Sequence, residues 1–393
     1  MAQVQVKFTT RHADLKVDQV PILVPLELKR YGLSEVVNHL LASETPIPFE
    51  FLIDGELLKM SLANYLTAKG LSTESVISLE YVKSIIPPLF HSSYLHDDWV
   101  SSVHVSGQHI LTGSYDNIAR LWDFSGNVVC TFKGHNRPIK AVKILDGVYL
   151  TASMDRSIRV WETTSCRLEL VGHKGPIEDI DSIDEKVISA CADGMVRVWG
   201  ISTEYESKSM IQREPLDLLQ GHSGPISGIK FSCDSSIIYS CSWDHTLRTW
   251  DITTSQQTQL TQTPSPLLCL SYLSTLNLVA TGTSTRSIFL HDPRSASIAT
   301  HTLSGHINMI SGLSASPESG YMLVSSSLDS TCKIWDVRAP TGSLYSIKRE
   351  TGWGQVFCVD WKEIGIVSGG QDTAVQINRG RNLTNDEMQV DSI

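Results

Sequence analysis

Apolar and polar residues alternate along most of this chain in short runs, the period-two pattern of β-strands with one buried face. Near the start, Val4, Val6 and Phe8 alternate with polar neighbours, and a second strand is predicted at about Val20 to Leu26. Ser34-Glu35-Val36-Val37-Asn38-His39-Leu40-Leu41 then offers a cap at Ser34 and an apolar face at helical spacing. Phe49 to Ile53 reads as a third strand, Asp54-Gly55 as a tight turn, and Leu62 to Leu66 as a short helix. A last strand runs from Ser75 to Val82. Its alternation puts Ile77, Leu79 and Tyr81 on the core side and leaves Glu80 exposed, with Val76, Ser78 and Val82.

Beyond about residue 88 the strands belong to a repeat. Ser242-Trp243-Asp244 to Trp250-Asp251 has close variants at Ser114-Tyr115-Asp116 to Trp122-Asp123, Ser153-Met154-Asp155 to Trp161-Glu162, Ala192-Asp193 to Trp199-Gly200 and Ser327-Leu328-Asp329 to Trp335-Asp336. In all five the Asp precedes the Trp by six residues. Gly134-His135, Gly172-His173, Gly221-His222 and Gly305-His306 sit upstream of four of them. A period of roughly 40 to 45 residues with these signatures is the mark of WD repeats, each building one four-stranded propeller blade. The residue types predict a network in which the turn Asp accepts from the His. A Ser or Thr hydroxyl then joins the imidazole to the Trp indole N–H. Blades one, two, three, four and six are expected to carry it, through His96, Asp116, Trp122; His135, Asp155, Trp161; His173, Asp193, Trp199; His222, Asp244, Trp250; and His306, Asp329, Trp335. The same residue types compose a Ser-His-Asp triad. A triad occurs once, whereas this set recurs, so no catalytic role is assigned.

Register locates the degenerate blades. His96 lies as far before Trp122 as His135 before Trp161, which makes it the start of blade one. Blade five has Thr285 at the turn position and His291 at the Trp position. Blade seven reads as strands at Val356 to Trp361, Ile364 to Ser368 and Asp372 to Asn378, with Asn378 at the Trp position and Gly352 at the His position. Both are expected to lack the network. The total is seven blades. The chain thus divides into a ubiquitin-like domain over residues 1–83, a linker and closing strand over 84–95, the propeller over 96–379 and a polar tail over 380–393. Since an open ring leaves a sheet edge exposed, Pro88 to Tyr94 is expected to complete blade seven, with the tail as competitor. Ile201 to Leu218 reads as an irregular surface insertion.

Composition narrows the function classes. No apolar run reaches the length that spans a bilayer, and Met1 to Thr10 has no signal-peptide core, so a soluble, intracellular protein without a membrane partner is expected. The eight cysteines lack metal-type pairing and read as reduced thiols. A formal charge of −10 argues against a general grip on nucleic acid. The Arg or Lys two residues before the Trp position (Arg120, Arg159, Arg197, Arg248, Lys333) reads as repeat consensus rather than a basic ring. No nucleophile motif or phosphate loop appears.

The N-terminal element order resembles the ubiquitin-like β-grasp, without the Gly-Gly terminus of a conjugated modifier. Such a domain, with Leu79-Glu80-Tyr81-Val82 running into Ile85-Ile86-Pro87-Pro88 and a seven-bladed propeller, resembles a group of eukaryotic ribosome-assembly proteins. These are the WD-repeat subunits of PeBoW complexes, whose N-terminal domain is Notchless-like; Notchless itself has a larger propeller. The resemblance implies a non-enzymatic nucleolar and nucleoplasmic scaffold for rRNA processing and maturation of pre-60S particles. Its propeller would bind the block-of-proliferation WD-repeat subunit, and through it the pescadillo subunit. Its ubiquitin-like domain would dock to the AAA ATPase midasin, with Glu80 completing the midasin metal site in trans. No cofactor of its own is implied, only the Mg²⁺ of that ATPase. Trp335-Asp336-Val337-Arg338 also resembles the Trp-Asp-x-Arg box of propellers that serve cullin ubiquitin ligases as substrate receptors, which implies an alternative role.

Overall fold

The computed structural model describes residues 2–380 except 11–14, 43–45, 55, 59, 71–75, 85–86, 146, 202–209, 296–298, 318 and 341. The chain forms two compact units, one ending at Pro87 and the other beginning at Pro88.

In the first unit, strands β1 (Gln3–Thr9), β2 (Ile22–Pro25), β3 (Phe49–Ile53), β4 (Glu56–Leu57) and β5 (Ile77–Lys83) form one sheet. Helices α1 (Arg30–Leu41) and α2 (Leu62–Lys69) complete the unit. The sheet order is β2-β1-β5-β3-β4, with β5 central and parallel to β1. That is a β-grasp. Phe8, Phe51, Leu79 and Tyr81 are buried in its core beside Leu33 and Val37 of α1. The Tyr81 hydroxyl is satisfied at the far side, accepting from the Val17 N–H at 3.1 Å and donating to the Leu15 carbonyl. Ser34 does not cap α1, which starts four residues earlier. Its hydroxyl instead accepts from the Phe49 N–H at 3.0 Å and donates to the Ile47 carbonyl at 3.2 Å. A polar residue on the inner side of a helix has thus found the unpaired backbone of the neighbouring strand.

The second unit is a ring of seven blades, each with four antiparallel strands. Every innermost strand has a β-bulge after its first residue, from Val100/Ser102 in blade one to Val356/Cys358 in blade seven. A bulge re-aims the neighbouring side chains, and here those side chains hold adjacent blades together. Ser227 Oγ donates to the Leu267 carbonyl at 2.7 Å and Ser311 Oγ to the Val356 carbonyl at 2.7 Å. Further along these strands, Asp179 accepts from the Ile229 N–H, Asp181 from Phe231 and Asp360 from Val105. Lys143 pairs with Asp181 at 2.6 Å across the next junction. Buried backbone donors at these junctions find partners without any covalent link.

Blade seven is completed from the other end of the chain. Leu89–Leu95 pairs antiparallel with Ala374–Arg379, from Leu89↔Arg379 to Leu95↔Ala374. Residues 381–393, the competing tail segment, lie outside the described residues. Tyr94 ties this strand onward to blade one: its ring stacks on Trp122 at 5.5 Å and its hydroxyl donates to the Phe124 carbonyl at 2.8 Å. The insertion differs from a plain surface loop. Ile211–Arg213 runs parallel to Ser165–Leu170 as a fifth strand of blade two, and Asp217–Gln220 is the outer strand of blade three. Blades two and three therefore share a connection that also covers a free edge.

Tyr94→Ala removes the stack and the hydroxyl that join the closing strand to blade one, at an expected cost of about 3 kcal/mol. Thermal unfolding of the variant beside Ser93→Ala, whose side chain is exposed on the same strand, checks this. Equal melting of the two variants would remove Tyr94 from ring closure.

Candidate functional site

The five expected blade networks come in two forms. In blades two, four and six the His Nδ1 meets the turn carboxylate directly, at 2.7 Å for His135–Asp155, 2.9 Å for His222–Asp244 and 2.8 Å for His306–Asp329. A hydroxyl two residues after the Asp (Ser157, Thr246, Thr331) holds the other carboxylate oxygen at 2.6–2.7 Å. Blades one and three have Ile118 and Met195 there. Without that hydroxyl, an Arg takes the space between ring and carboxylate. Arg120 reaches His96 Nδ1 and Asp116 at 2.6 Å each, and Arg197 reaches His173 Nδ1 at 2.5 Å and Asp193 at 2.9 Å. The expected direct His–Asp bond is therefore replaced in these two blades. In all five the indole N–H donates to the shared hydroxyl at 2.7–2.8 Å: Trp122 to Thr112, Trp161 to Thr151, Trp199 to Ser189, Trp250 to Ser240 and Trp335 to Ser325.

These partners assign the tautomers of neutral imidazoles. A carboxylate only accepts, so His135, His222 and His306 carry the proton on Nδ1 and accept at Nε2 from the hydroxyl. A guanidinium only donates, so His96 and His173 carry it on Nε2. The charges obey the same geometry. Burial, then the adjacent guanidinium, holds His96 at about 4 and His173 at about 3. Burial pushes Asp244 upward, but Thr246 and His222 outweigh it and hold the carboxyl at about 2. None of the five shared hydroxyls is open to solvent, and each is engaged by an indole. The arrangement braces a blade rather than presenting a nucleophile.

Blades five and seven are not merely packed. In blade five, His291 replaces the Trp and keeps its bond, Nε2 lying 2.9 Å from Thr281 Oγ1. In blade seven a guanidinium stands in for the imidazole. Arg349 donates through Nε to Asp372 Oδ2 at 2.8 Å, through Nη2 to Asp372 Oδ1 at 2.5 Å and through Nη1 to Ser368 Oγ at 2.9 Å. The pair is almost fully buried, at 2% and 1% side-chain exposure. Asp372 precedes Asn378 by six residues, the spacing of the other turn carboxylates, which is a readable signal. Arg349 has none, because it lies three residues before Gly352, outside the repeat register.

His173, Cys191 and Asp193 bring ligand-type atoms within 4.8 Å of one another. Arg197 already occupies the space between His173 and Asp193. Burial also raises the Cys191 thiol to about 11, so it is not a thiolate. A cation is disfavoured there. In the Trp335–Arg338 box, Arg338 donates to both carboxylate oxygens of Asp336, at 3.0 and 2.8 Å, and lies over the Tyr321 ring at 4.4 Å.

Glu80 lies on β5 between Thr9 of β1 and Leu52 of β3. It is half-buried rather than exposed, and Oε1 is shielded from solvent. Alternation identified the outer face correctly but not its cover. A central strand has neighbours on both sides, and on this face Leu52, Val82 and Glu50 are themselves buried. Glu50 accepts from Ser84 Oγ at 3.1 Å and pairs with Arg30. Nothing is described for the Glu56 side chain, and Asp54 is exposed.

A β-grasp unit followed by a seven-bladed, internally braced ring defines the class of protein: a WD-repeat propeller with a ubiquitin-like front domain. Residues 4–66 match the NLE (NUC135) domain. Residues 89–123, 126–162, 164–200, 213–251 and 298–336 match the WD domain, G-beta repeat. The chain is 44% identical to ribosome biogenesis protein ytm1 of Schizosaccharomyces pombe over 98% of both chains. It is 40% identical to ribosome biogenesis protein YTM1 of Saccharomyces cerevisiae (strain ATCC 204508 / S288c), over 97% of this chain and 98% of that one. The chain belongs to the family of ribosome biogenesis protein YTM1.

The networks can be tested by substitution and by pH. Asp155→Ala leaves a buried imidazole short of an acceptor and should cost about 1–3 kcal/mol, whereas Arg349→Leu strands a buried carboxylate and should cost about 3–5 kcal/mol. Urea unfolding of both variants tests the order; the reverse ranking would place the brace of blade seven elsewhere. His96 and His173 titrate lower in the folded protein than the unfolded value of about 6.5, so the unfolded chain binds those protons first. Their contribution is complete above about pH 6.5 and is lost as pH falls toward 4, with Asp244 adding a loss between about 4 and 2. The slope of unfolding free energy against pH below about 6.5 should therefore be shallower in His173→Gln than in the wild type. An unchanged slope would show that the imidazole does not titrate with folding.

Proposed function

We propose that this chain is a non-enzymatic scaffold in maturation of the large ribosomal subunit and its rRNA, working in the nucleolus and nucleoplasm on pre-60S particles. The observation that carries this reading is similarity to ribosome biogenesis proteins along almost the whole chain, N-terminal domain and propeller together. Within it, the propeller binds the block-of-proliferation WD-repeat subunit of a PeBoW complex, and through it the pescadillo subunit. The β-grasp domain docks to midasin. Glu80 is the carboxylate for that contact. It projects from the central, best-supported strand of the sheet, a rigid mount for a group that must meet a metal at a defined distance. A hard cation such as Mg²⁺ prefers oxygen ligands and keeps positions open, so a carboxylate from a second protein can fill one. The receptor role for cullin ligases is not favoured, because the arginine of the Trp335–Arg338 box is bonded within its own blade.

Glu80→Ala should leave melting and the propeller complex unchanged while reducing Mg²⁺-dependent binding to purified midasin to background. Glu80→Asp should weaken that binding, because the shorter side chain withdraws its oxygen. Full binding by Glu80→Ala would refute the assignment, with Asp54 the next exposed carboxylate to test.

A further inference from the structure

The inner strands of the seven blades are equivalent by register, so the bonds between neighbouring blades can be compared position by position. The second residue of these strands is Ser101, Lys140, Glu178, Ser227, Leu268, Ser311 and Phe357 in turn. Where it is serine, the hydroxyl donates to a carbonyl of the next blade: Ser101 to Ile139, Ser227 to Leu267 and Ser311 to Val356. At the fifth residue, His104, Asp181, Ser314 and Asp360 accept from a backbone N–H of the next blade, at 3.3, 2.9, 3.1 and 2.9 Å. Blade two, with lysine at both positions, pairs Lys140 with Glu178 and Lys143 with Asp181. Blade five breaks the rule, because its inner strand Leu267-Leu268-Cys269-Leu270-Ser271-Tyr272-Leu273 is almost wholly apolar. Leu268 has no donor to give. Among the described residues, the one bond from this strand to blade six runs from the Cys269 thiol to the Ile310 carbonyl at 3.8 Å, and a thiol is a weak donor. Cys269, Leu273, Ile310 and Leu313 share one apolar cluster at this junction. Similar clusters span blades one and two and blades three and four. Apolar contact is non-directional, so the hydrogen bonds are an addition at those junctions that this one lacks.

A second observation lies inside blade five. Counting back from Pro266 as from Pro225 puts Thr263 in the register of His222. Thr285 holds the place of the turn carboxylate, Phe289 that of the bridging arginine and His291 that of the tryptophan. Thr263 Oγ1 lies 2.9 Å from the carbonyls of His245 and Ser265, and Thr285 Oγ1 lies 3.0 Å from Thr283 Oγ1 and 3.2 Å from Ser265 Oγ. These are bonds between neutral groups. The other six blades are braced by bonds to a carboxylate, from an imidazole in blades two, four and six and from a guanidinium in blades one, three and seven. Bonds to an ionised group are roughly twice as strong as neutral ones. Blade five is thus both the least braced within and the least bonded to the blade that follows.

We propose that blade five is the opening segment of the ring: its junction with blade six separates and its strands come apart locally before those of any other blade. Connectivity alone points instead to blade seven, whose sheet is built from the two ends of the propeller. That seam is better tied, by Asp360 to the Val105 N–H, by the Tyr94–Trp122 stack and by the Tyr94 hydroxyl. Local opening starts in the cooperative unit with the least to lose, wherever that unit lies along the chain. Opening at blade five moves its loops away from those of blade six and leaves the closing strand in place.

Hydrogen–deuterium exchange of the full chain, read by peptide mass and corrected for intrinsic rates, tests this on the second strand of each blade, which is paired on both sides throughout the ring. Amides of Leu278–Thr283 in blade five should exchange about tenfold faster, or more, than those of Lys186–Cys191 in blade three and Gly365–Gly370 in blade seven. Leu268→Ser places in blade five the hydroxyl that blades one, four and six use, aimed at the Ile310 carbonyl. It should slow exchange of Leu278–Thr283 by about fivefold, the effect of one hydrogen bond, and leave Lys186–Cys191 unchanged. A melting curve establishes that the variant is folded; if it is not, the order of exchange in the wild type remains the test. Equal exchange in all three strands, earlier exchange of Gly365–Gly370, or a folded Leu268→Ser variant that leaves Leu278–Thr283 as fast as before would each overturn the proposal.

Discussion

A ring of blades is stable only if it closes, and here closure is a strand-to-strand contact between residues that are far apart in sequence. Leu89–Leu95 lies against Ala374–Arg379, so most of the propeller must be in place before its last sheet can form. Loop closure of that length is entropically costly. The structure offsets the cost with ladder hydrogen bonds, the Tyr94–Trp122 stack and the Tyr94 hydroxyl bond. Because the second unit begins at Pro88, the chain enters the ring directly at its non-local seam.

The same demand, that every buried donor and acceptor be satisfied, explains why the blade networks vary without failing. A hydroxyl at Ser157, Thr246 or Thr331 turns the carboxylate toward the imidazole. Where Ile118 or Met195 stands instead, an arginine bridges the gap and the imidazole changes tautomer. Where no imidazole exists, Arg349 meets Asp372 and Ser368 directly. What persists across blades is the set of satisfied groups and not the residue types that satisfy them. A catalytic site requires the opposite, one group left poised and accessible, whereas all five shared hydroxyls are buried and engaged by an indole.

Charge is organised in layers. Around the channel, Lys143 and Lys230 meet Asp181 and Asp179, so carboxylates and amines largely balance while bonding adjacent blades. Burial pushes the Asp181 carboxyl upward, but these cations and the Phe231 N–H outweigh it and keep it at about 2, where it remains charged and structural across the physiological range. The net negative charge of the chain therefore says little about any one part of the ring.

What the sequence alone determined is whatever repeats or alternates. The period, the six-residue spacing from Asp to Trp and the two-residue alternation of strands set the blade count, the five Trp–hydroxyl bonds and the core side of the strand that carries Glu80. These features are local, and each is dictated by the geometry of a single strand or turn. The tertiary structure decided everything that depends on a neighbour. Whether Arg120 inserts beside His96 depends on the side chain two residues beyond Asp116 and on the room left between two loops. Glu80 is half-buried because two strands flank it, and Ser34 bonds a strand because α1 begins earlier than its apparent cap. Arg349 entered a network from outside the repeat register, and Ile211–Arg213 found an open edge in the preceding blade. A side chain's spacing can be read along the chain, but its partner is set by folding, since burial and hydrogen-bond satisfaction are properties of the packed state.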